Sequence, residues 1–194
     1  MKRLHVAIAI ACMLLAAGCL PVTSKTPVGT TVGLGADEAL YGTWKGRGEN
    51  DPTPVTFHFV PTQNNSMLAI TVSAKHGKDA PEASFYVLEA AKLGNNHFLN
   101  VVKMYNADNL EENVLNGSSF TMLYRLRKGT LSLYLLDEDK TKEAIRSGAI
   151  AGSLGEGDNG DVAITADAAP LDAFMAKPEA AKLFKLLIVL KRAP

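Results

Sequence analysis

Cysteine is almost missing from this chain, and both copies, Cys12 and Cys19, fall within its first nineteen residues. A domain built from the remainder has no disulfide, and thiol catalysis and cysteine-held metal are excluded there. Net charge is missing as well, since 20 basic residues face 20 acidic ones. Setting aside Lys2 and Arg3 of the leader leaves 18 basic residues against 20 acidic. No basic face with interleaved aromatics appears, so nucleic acid is not an expected partner. A hydrophobic content of 47% over 194 residues still supports one domain with a real core.

The first residues have the order of a signal sequence. Lys2 and Arg3 form a positive start, and Leu4 to Leu15 is an apolar run broken only by His5. A run of this length falls short of the ~20 residues of a spanning helix and fits a secretory leader. It ends in small residues, Ala16-Ala17-Gly18, directly before Cys19.

Leu14-Leu15-Ala16-Ala17-Gly18-Cys19 resembles the bacterial lipobox, with Ala16 where the usual box prefers leucine and Leu15 one place further back. The resemblance implies a leader over residues 1–18 and a lipidated first residue, Cys19, bearing a diacylglycerol thioether and an amide-linked third chain. Several acyl chains give stable anchoring where one is marginal. The alternative is ordinary secretion with cleavage near Ala17. Leu20 stands where an inner-membrane retention signal would carry Asp, so in a Gram-negative cell the expected location is the outer membrane, facing the periplasm. Residues 19–36, rich in Thr, Gly, Val and Pro without a helical or alternating period, read as a flexible tether. The expected division is leader 1–18, tether 19–36 and folded domain 37–194.

From about residue 40, two-residue alternation broken by turn clusters dominates. Strands are expected at 42–48, around Val55-Phe57-Phe59, Leu68-Ile70-Val72 and Phe85-Val87, and at 97–104. Others follow at Phe120 to Leu126 and Leu131 to Leu135, a short one at 162–165, and a last one at 186–190 that is apolar on both faces. Helical spacing is expected at 139–148 and again from Asp167 to Phe184, with Pro178 kinking or restarting the second helix. The body is mainly β, a sandwich or an up-and-down barrel.

Gly42-Thr43-Trp44 at the start of the first barrel strand and Lys191-Arg192 at the end of the last resemble the lipocalin and calycin barrels, where the tryptophan packs under a basic residue of the final strand. Further stretches are similar to a group of bacterial lipocalin-like proteins of uncharacterised function: Phe98-Leu99-Asn100-Val101, and Ile164-Thr165-Ala166 running into Ala173-Phe174-Met175, Phe184 and Arg192. The resemblance covers residues 40–192. It implies a lipocalin-like antiparallel β-barrel of about 8–9 strands with one or two short helices near the C-terminus. It also implies that Trp44 and Arg192 close one barrel end by a cation–π contact worth on the order of 0.5–2 kcal/mol.

No catalytic constellation is legible. His58, His76 and His97 share neither a helix turn nor an alternation spacing, so no metal site is written locally. His58 is expected on the outer face, and His76 and His97 at turns. Asp137-Glu138-Asp139 reads as a helix start. Asp158-Asn159-Gly160-Asp161 lacks the spacing of a calcium loop. The alternating positions Phe57, Phe59, Ile70, Phe85, Val87, Tyr124, Leu133 and Leu135 are expected to face the interior, either filling it or lining a ligand site. The expectation is thus a non-catalytic, cofactor-free barrel, tethered to the membrane through its N-terminal lipid. It would bind a small hydrophobic ligand or an envelope partner; the alternative is a filled barrel acting through protein interaction.

Overall fold

The computed structural model describes residues 22–48, 53–73, 81–106, 112–113, 115, 118–155 and 161–194. The leader, Cys19, His76 and Asp158 to Gly160 lie outside these residues. Twelve strands are described. They are β1 (Thr23–Ser24), β2 (Gly42–Gly48), β3 (Pro54–Pro61), β4 (Met67–Ser73), β5 (Glu82–Leu93), β6 (Asn96–Asn106), β7 (Glu112–Asn113), β8 (Phe120–Arg127), β9 (Thr130–Leu136), β10 (Gly152–Leu154), β11 (Val162–Ile164) and β12 (Phe184–Arg192). Helices α1 (Glu138–Arg146) and α2 (Ala168–Met175) lie between β9 and β12, and 3-10 turns occupy Glu38–Leu40 and Pro178–Leu183.

Eight strands form the order β5-β4-β3-β2-β12-β9-β8-β6, and a β5–β6 pairing closes it into an antiparallel barrel of the lipocalin-like kind. Closure leaves no open edge in the wall. Most barrel neighbours follow one another in sequence; β7 intervenes between β6 and β8, and the chain between β9 and β12 supplies the helices. Gly46 belongs to the tight wall between β2 and β12, where a side chain would collide with the Val189 carbonyl and Leu190. An irregularity between Leu186 and Ile188 adds Leu187 to β12 and turns it toward the interior core.

Antiparallel register assigns the two ends. Residues 48, 54, 73, 82, 106, 120, 136 and 184 stand at one end, called here the mouth, and 42, 61, 67, 93, 96, 127, 130 and 192 at the other. The second end is closed by the 3-10 turn at Glu38–Leu40, whose Leu40 is wholly buried in the interior core.

Two apolar cores share the wall. One fills the barrel, around Trp44, Phe59, Met67, Leu88, Leu99 and Leu133. The other lies outside it, where Phe98, Leu123, Leu136 and Phe184 meet Ile164, Leu171 and Met175 of the covering layer. This explains the two-faced apolar run of β12, which packs inward through Ile188 and Leu190 and outward through Phe184. Asp137 caps α1 by accepting from the Lys140 N–H, as the acidic run before it foreshadows.

The expected tether is corrected by its packing. Val22 and Val28 are buried, and Thr23–Ser24 pairs in parallel with β11 in a small sheet ordered β1-β11-β10. The chain then runs as a strap down the outside of the wall. The Val28 N–H donates to Asn100 Oδ1 at 2.9 Å, and the Val28 carbonyl accepts from Asn100 Nδ2 at 2.8 Å. The Asp172 carboxylate, 3% exposed, accepts from the Gly29 N–H, the Thr31 N–H and the Thr31 hydroxyl. Charge-assisted bonds of this sort stabilise more than neutral ones. Gly35 finally exchanges backbone bonds with Ala90 on β5. From Val22 onward the segment is part of the fold.

Candidate functional site

Inside the barrel is a cavity of about 40 Å³ whose lining atoms are all apolar. β3 contributes Phe57 and Phe59, whose rings stack with centroids 5.9 Å apart. Ala69 of β4 faces them and leaves the space, because it sits directly between Phe59 and Tyr86 in the ladder and carries only a methyl group. Leu88, Val101, Met122 and Leu133 complete the middle, and Phe120, Leu135 and Leu187 carry the cavity to the mouth.

One wall near the mouth is polar. Thr71 and Ser73 face inward from β4, opposite Ser84 and Glu82 of β5. The Tyr86 hydroxyl bonds to Ser84 and Thr71, and burial, the larger effect, pushes its pKa above the ordinary phenol value. Ser73 is 2% exposed, and its hydroxyl has no hydrogen-bond partner among the described residues. Lys185 stands at the rim, two residues before Leu187 and opposite Leu135, with its ammonium 3.8 Å from the Asp137 carboxylate. The site therefore combines an apolar floor with hydroxyls on one side and a cation at the edge.

The closed end is built differently. The Arg192 guanidinium lies 4.3 Å from the Trp44 ring centroid and donates to the carbonyls of Tyr41 at 2.7 Å and Ala39 at 2.5 Å. Trp44 donates its indole N–H to the Leu40 carbonyl. Beside them the Tyr124 hydroxyl donates to the Asp37 carboxylate, and burial together with that carboxylate raises the Tyr124 pKa far above its usual value. His97 meets the edge of the Tyr124 ring at 5.3 Å, and desolvation, then the charge of Lys92, lowers its pKa.

Four of the eight expected interior positions, Phe57, Phe59, Leu133 and Leu135, line the cavity. Tyr124 also faces inward, but toward the closed end. Ile70, Phe85 and Val87 do not: they are half-buried on the outer surface, and Ala69, Tyr86 and Leu88 take the inner places. Alternation gives the period of a strand and leaves its face open, and a one-residue error turns every side chain over. One signal pointed the right way: Glu89 shares the parity of Phe85 and Val87, whereas the other parity carries the apolar Tyr86, Leu88 and Ala90, which the structure buries. Val101, Phe120, Met122 and Leu187 were also missed; Leu187 reaches the interior only through the irregularity in β12.

The expected turn position of His97 is likewise corrected, because it lies within β6, paired with Tyr124. His58 is on the outer face, its Nδ1 3.0 Å from the Thr43 hydroxyl. Neither histidine lines the cavity. Among the described residues no three His, Cys, Asp or Glu side chains are grouped to hold a metal ion. Compared with protein-family models, curated proteins and solved structures, the chain finds no match.

Proposed function

We propose that this chain is a lipoprotein anchored through Cys19, whose barrel receives the apolar end of a small amphiphile without transforming it. The observation that carries the reading is the cavity of about 40 Å³, apolar throughout and running toward the mouth, with the Ser73 hydroxyl and the Lys185 ammonium lying beyond its lining at that end. One water requires roughly 10–15 Å³ of such space, so the cavity holds about three methylene-sized groups. Burying these contributes on the order of 2–3 kcal/mol, at roughly 0.8 kcal/mol per methylene. Tight binding therefore also draws on the rim contacts and on Met122, an unbranched side chain that can shift to admit more of a chain.

The test is native mass spectrometry of residues 20–194, which include every described strand, together with displacement of a fluorescent fatty acid. A co-purifying lipid adduct or saturable probe binding is expected; absence of both removes the ligand reading. Anchoring is tested separately by Cys19→Ala, which should free the protein from the membrane fraction and abolish acyl labelling. A second reading, a barrel acting through protein contact, is favoured by the outer face of β3 to β5. There Val60, 37% exposed, adjoins Leu68 and Val87, with Ile70 and Phe85 as the next cross-strand pair.

A further inference from the structure

Charge balances over the whole chain, yet one wall of the barrel carries a single sign. The register of four neighbouring strands sets two cross-strand rows on its outer face. Arg47 of β2, Val189 of β12, Ser132 of β9 and Arg125 of β8 form one row; Lys45, Lys191, Thr130 and Arg127 form the next. Lys45, Arg47, Arg127 and Lys191 are exposed, and Val189, 40% exposed, lies among them. The rows stand about 7 Å apart and run about 14 Å across the strands, so neighbouring cations lie within a Debye length of about 10 Å. No acid stands in either row. Among the described residues none forms a salt bridge with any of the five cations.

This arrangement costs the fold stability. Lys45 and Lys191 are direct cross-strand partners, and like charges directly opposite destabilise a sheet. Lysines that guard a sheet edge against a neighbouring chain have no such task here, because the closed wall has no edge. A surface built only for solubility intersperses both signs and avoids the repulsion. A partner of opposite charge accounts for the uncompensated rows. The convex outside of a barrel does not enclose a small anion, and the rows hold no aromatic ring on which bases of a single strand would stack. A plane of anionic groups fits them.

The start of the described chain leads toward this wall. Ser24 exchanges backbone bonds of 2.7 and 2.8 Å with Ser119 in an antiparallel bridge. Ser119 precedes β8, so the chain before Ser24 runs beside that strand away from the mouth, in the direction of Arg125 and Arg127. Val22 is buried in the same outer core as Leu123 of β8. Cys19, three residues earlier, lies within about 11 Å of Val22. An anchor there brings a membrane surface to the part of β8 that carries both arginines.

We propose that the outer wall of β2, β12, β9 and β8 rests on anionic phospholipid headgroups of the membrane that holds the anchor, laying the barrel on its side. This goes beyond the proposed function and rests on one part of it, anchoring at Cys19. The acyl chains set retention, and the cations set the pose.

The experiment uses the mature lipidated protein in phosphatidylethanolamine–phosphatidylglycerol vesicles. Maturation removes Cys12 and acylates Cys19, so Val189→Cys and Val72→Cys each provide a single free thiol for a fluorophore. Val189 is central to the wall, and Val72 faces outward on β4, three strands from β12 around the barrel. Lipids with a nitroxide on the headgroup should quench the label at 189 several-fold more than the label at 72. Equal quenching, or the reverse order, overturns the pose. The difference should collapse in phosphatidylcholine vesicles and at about 0.5 M salt, with the protein still sedimenting with the vesicles. A difference that survives both changes overturns the electrostatic partner.

The unacylated chain over residues 20–194 separates the surface from the anchor. At low salt it should bind phosphatidylglycerol vesicles and leave phosphatidylcholine vesicles alone. Lys191→Gln should weaken that binding about fivefold. The same variant should raise the urea midpoint, since the repulsion with Lys45 is relieved. A parent chain that ignores phosphatidylglycerol, or a Lys191→Gln chain that binds it as tightly as the parent, overturns the docking surface. Absence of acyl labelling at Cys19 with phosphatidylglycerol binding intact overturns the anchor and leaves the surface standing. Salt-sensitive self-association without a response to phosphatidylglycerol assigns the wall to a second copy of this chain and overturns the membrane partner.

Discussion

Replacing Ala69 by valine reads the cavity directly. Ala69 lies between Phe59 and Tyr86 in the ladder and contributes to the floor of a space of about 40 Å³. Empty apolar volume in a core destabilises by about 24 cal/mol per Å³, so this cavity costs the fold about 1 kcal/mol. Valine places two further methyl groups into it, and a β-branched side chain suits a strand. The expected result is a gain of up to about 1 kcal/mol. It appears as a higher urea midpoint at unchanged m, or as a rise in Tm of about 2–4 °C for a chain of this size. Affinity for a fluorescent acyl probe should fall in the same variant, since the added methyls take the place of the ligand. Ala69→Gly should move stability the other way and leave the site open. If Ala69→Val instead loses more than about 1 kcal/mol, the side chain has met a packed wall, as overfilled cores do. The cavity, and the binding reading with it, would then be refuted.

Arg192→Ala should lower stability by about 1–2 kcal/mol, because the guanidinium joins Trp44 to the carbonyls of Ala39 and Tyr41 but remains partly in water. Arg192→Lys should recover less than half of that, since an ammonium lacks the planar fork; full recovery in urea titrations would show that charge alone matters. Asp172→Asn should cost about 2 kcal/mol, by replacing one acceptor oxygen with a donor that faces an N–H. Amide exchange at Gly29 and Thr31 should accelerate before that of the barrel strands, and unchanged protection there would disprove the strap. Tyr86 and Tyr124 both have folded pKa values raised above 10.0. Their contribution is complete below pH 10 and is lost as pH rises past it, because the unfolded chain then releases protons that the folded chain retains. Tm should therefore fall above about pH 10, less steeply in Tyr124→Phe, and ionisation of all tyrosines at 295 nm before unfolding would contradict this. His97 has its folded pKa lowered, so its stabilising share is present above pH 6.5 and is lost as pH falls below that value. His97→Phe should flatten the acidic limb of a Tm-against-pH curve.

The strands were legible because a barrel wall is a repeated local pattern. Val55, Phe57 and Phe59 alternate with polar residues, and the structure puts them inside. β4 and β5 misled because there the apolar preference is reversed near the mouth. Thr71, Ser73 and Ser84 face inward, while Leu68, Ile70 and Phe85 face out. A rule that sends the more apolar parity inward fails where the interior carries hydroxyls and the exterior an apolar strip. That departure is itself informative, since it places the hydroxyls of Thr71, Ser73 and Ser84 beside the apolar cavity, nearer the mouth. The Trp44–Arg192 contact was legible only through the resemblance to lipocalin and calycin barrels, which implies that a Gly-x-Trp on the first strand meets a basic residue of the last.

The strap had no such marker. Residues 22–36 have no period of 2 or 3.6, and composition alone makes them a linker. Their order comes from partners far away in sequence: Asn100 holds Val28 across 72 residues, and Asp172 holds Gly29 across 143. An aspartate on a short helix looks like one more surface acid until the chain it faces is known. Its burial at 3% exposure with three bonds to the strap is a tertiary fact with no local trace. A loose tether of some fifteen residues would range over roughly 20 Å. A strap pinned from Val22 onward is instead part of the folded domain, held by a buried carboxylate and an asparagine on β6.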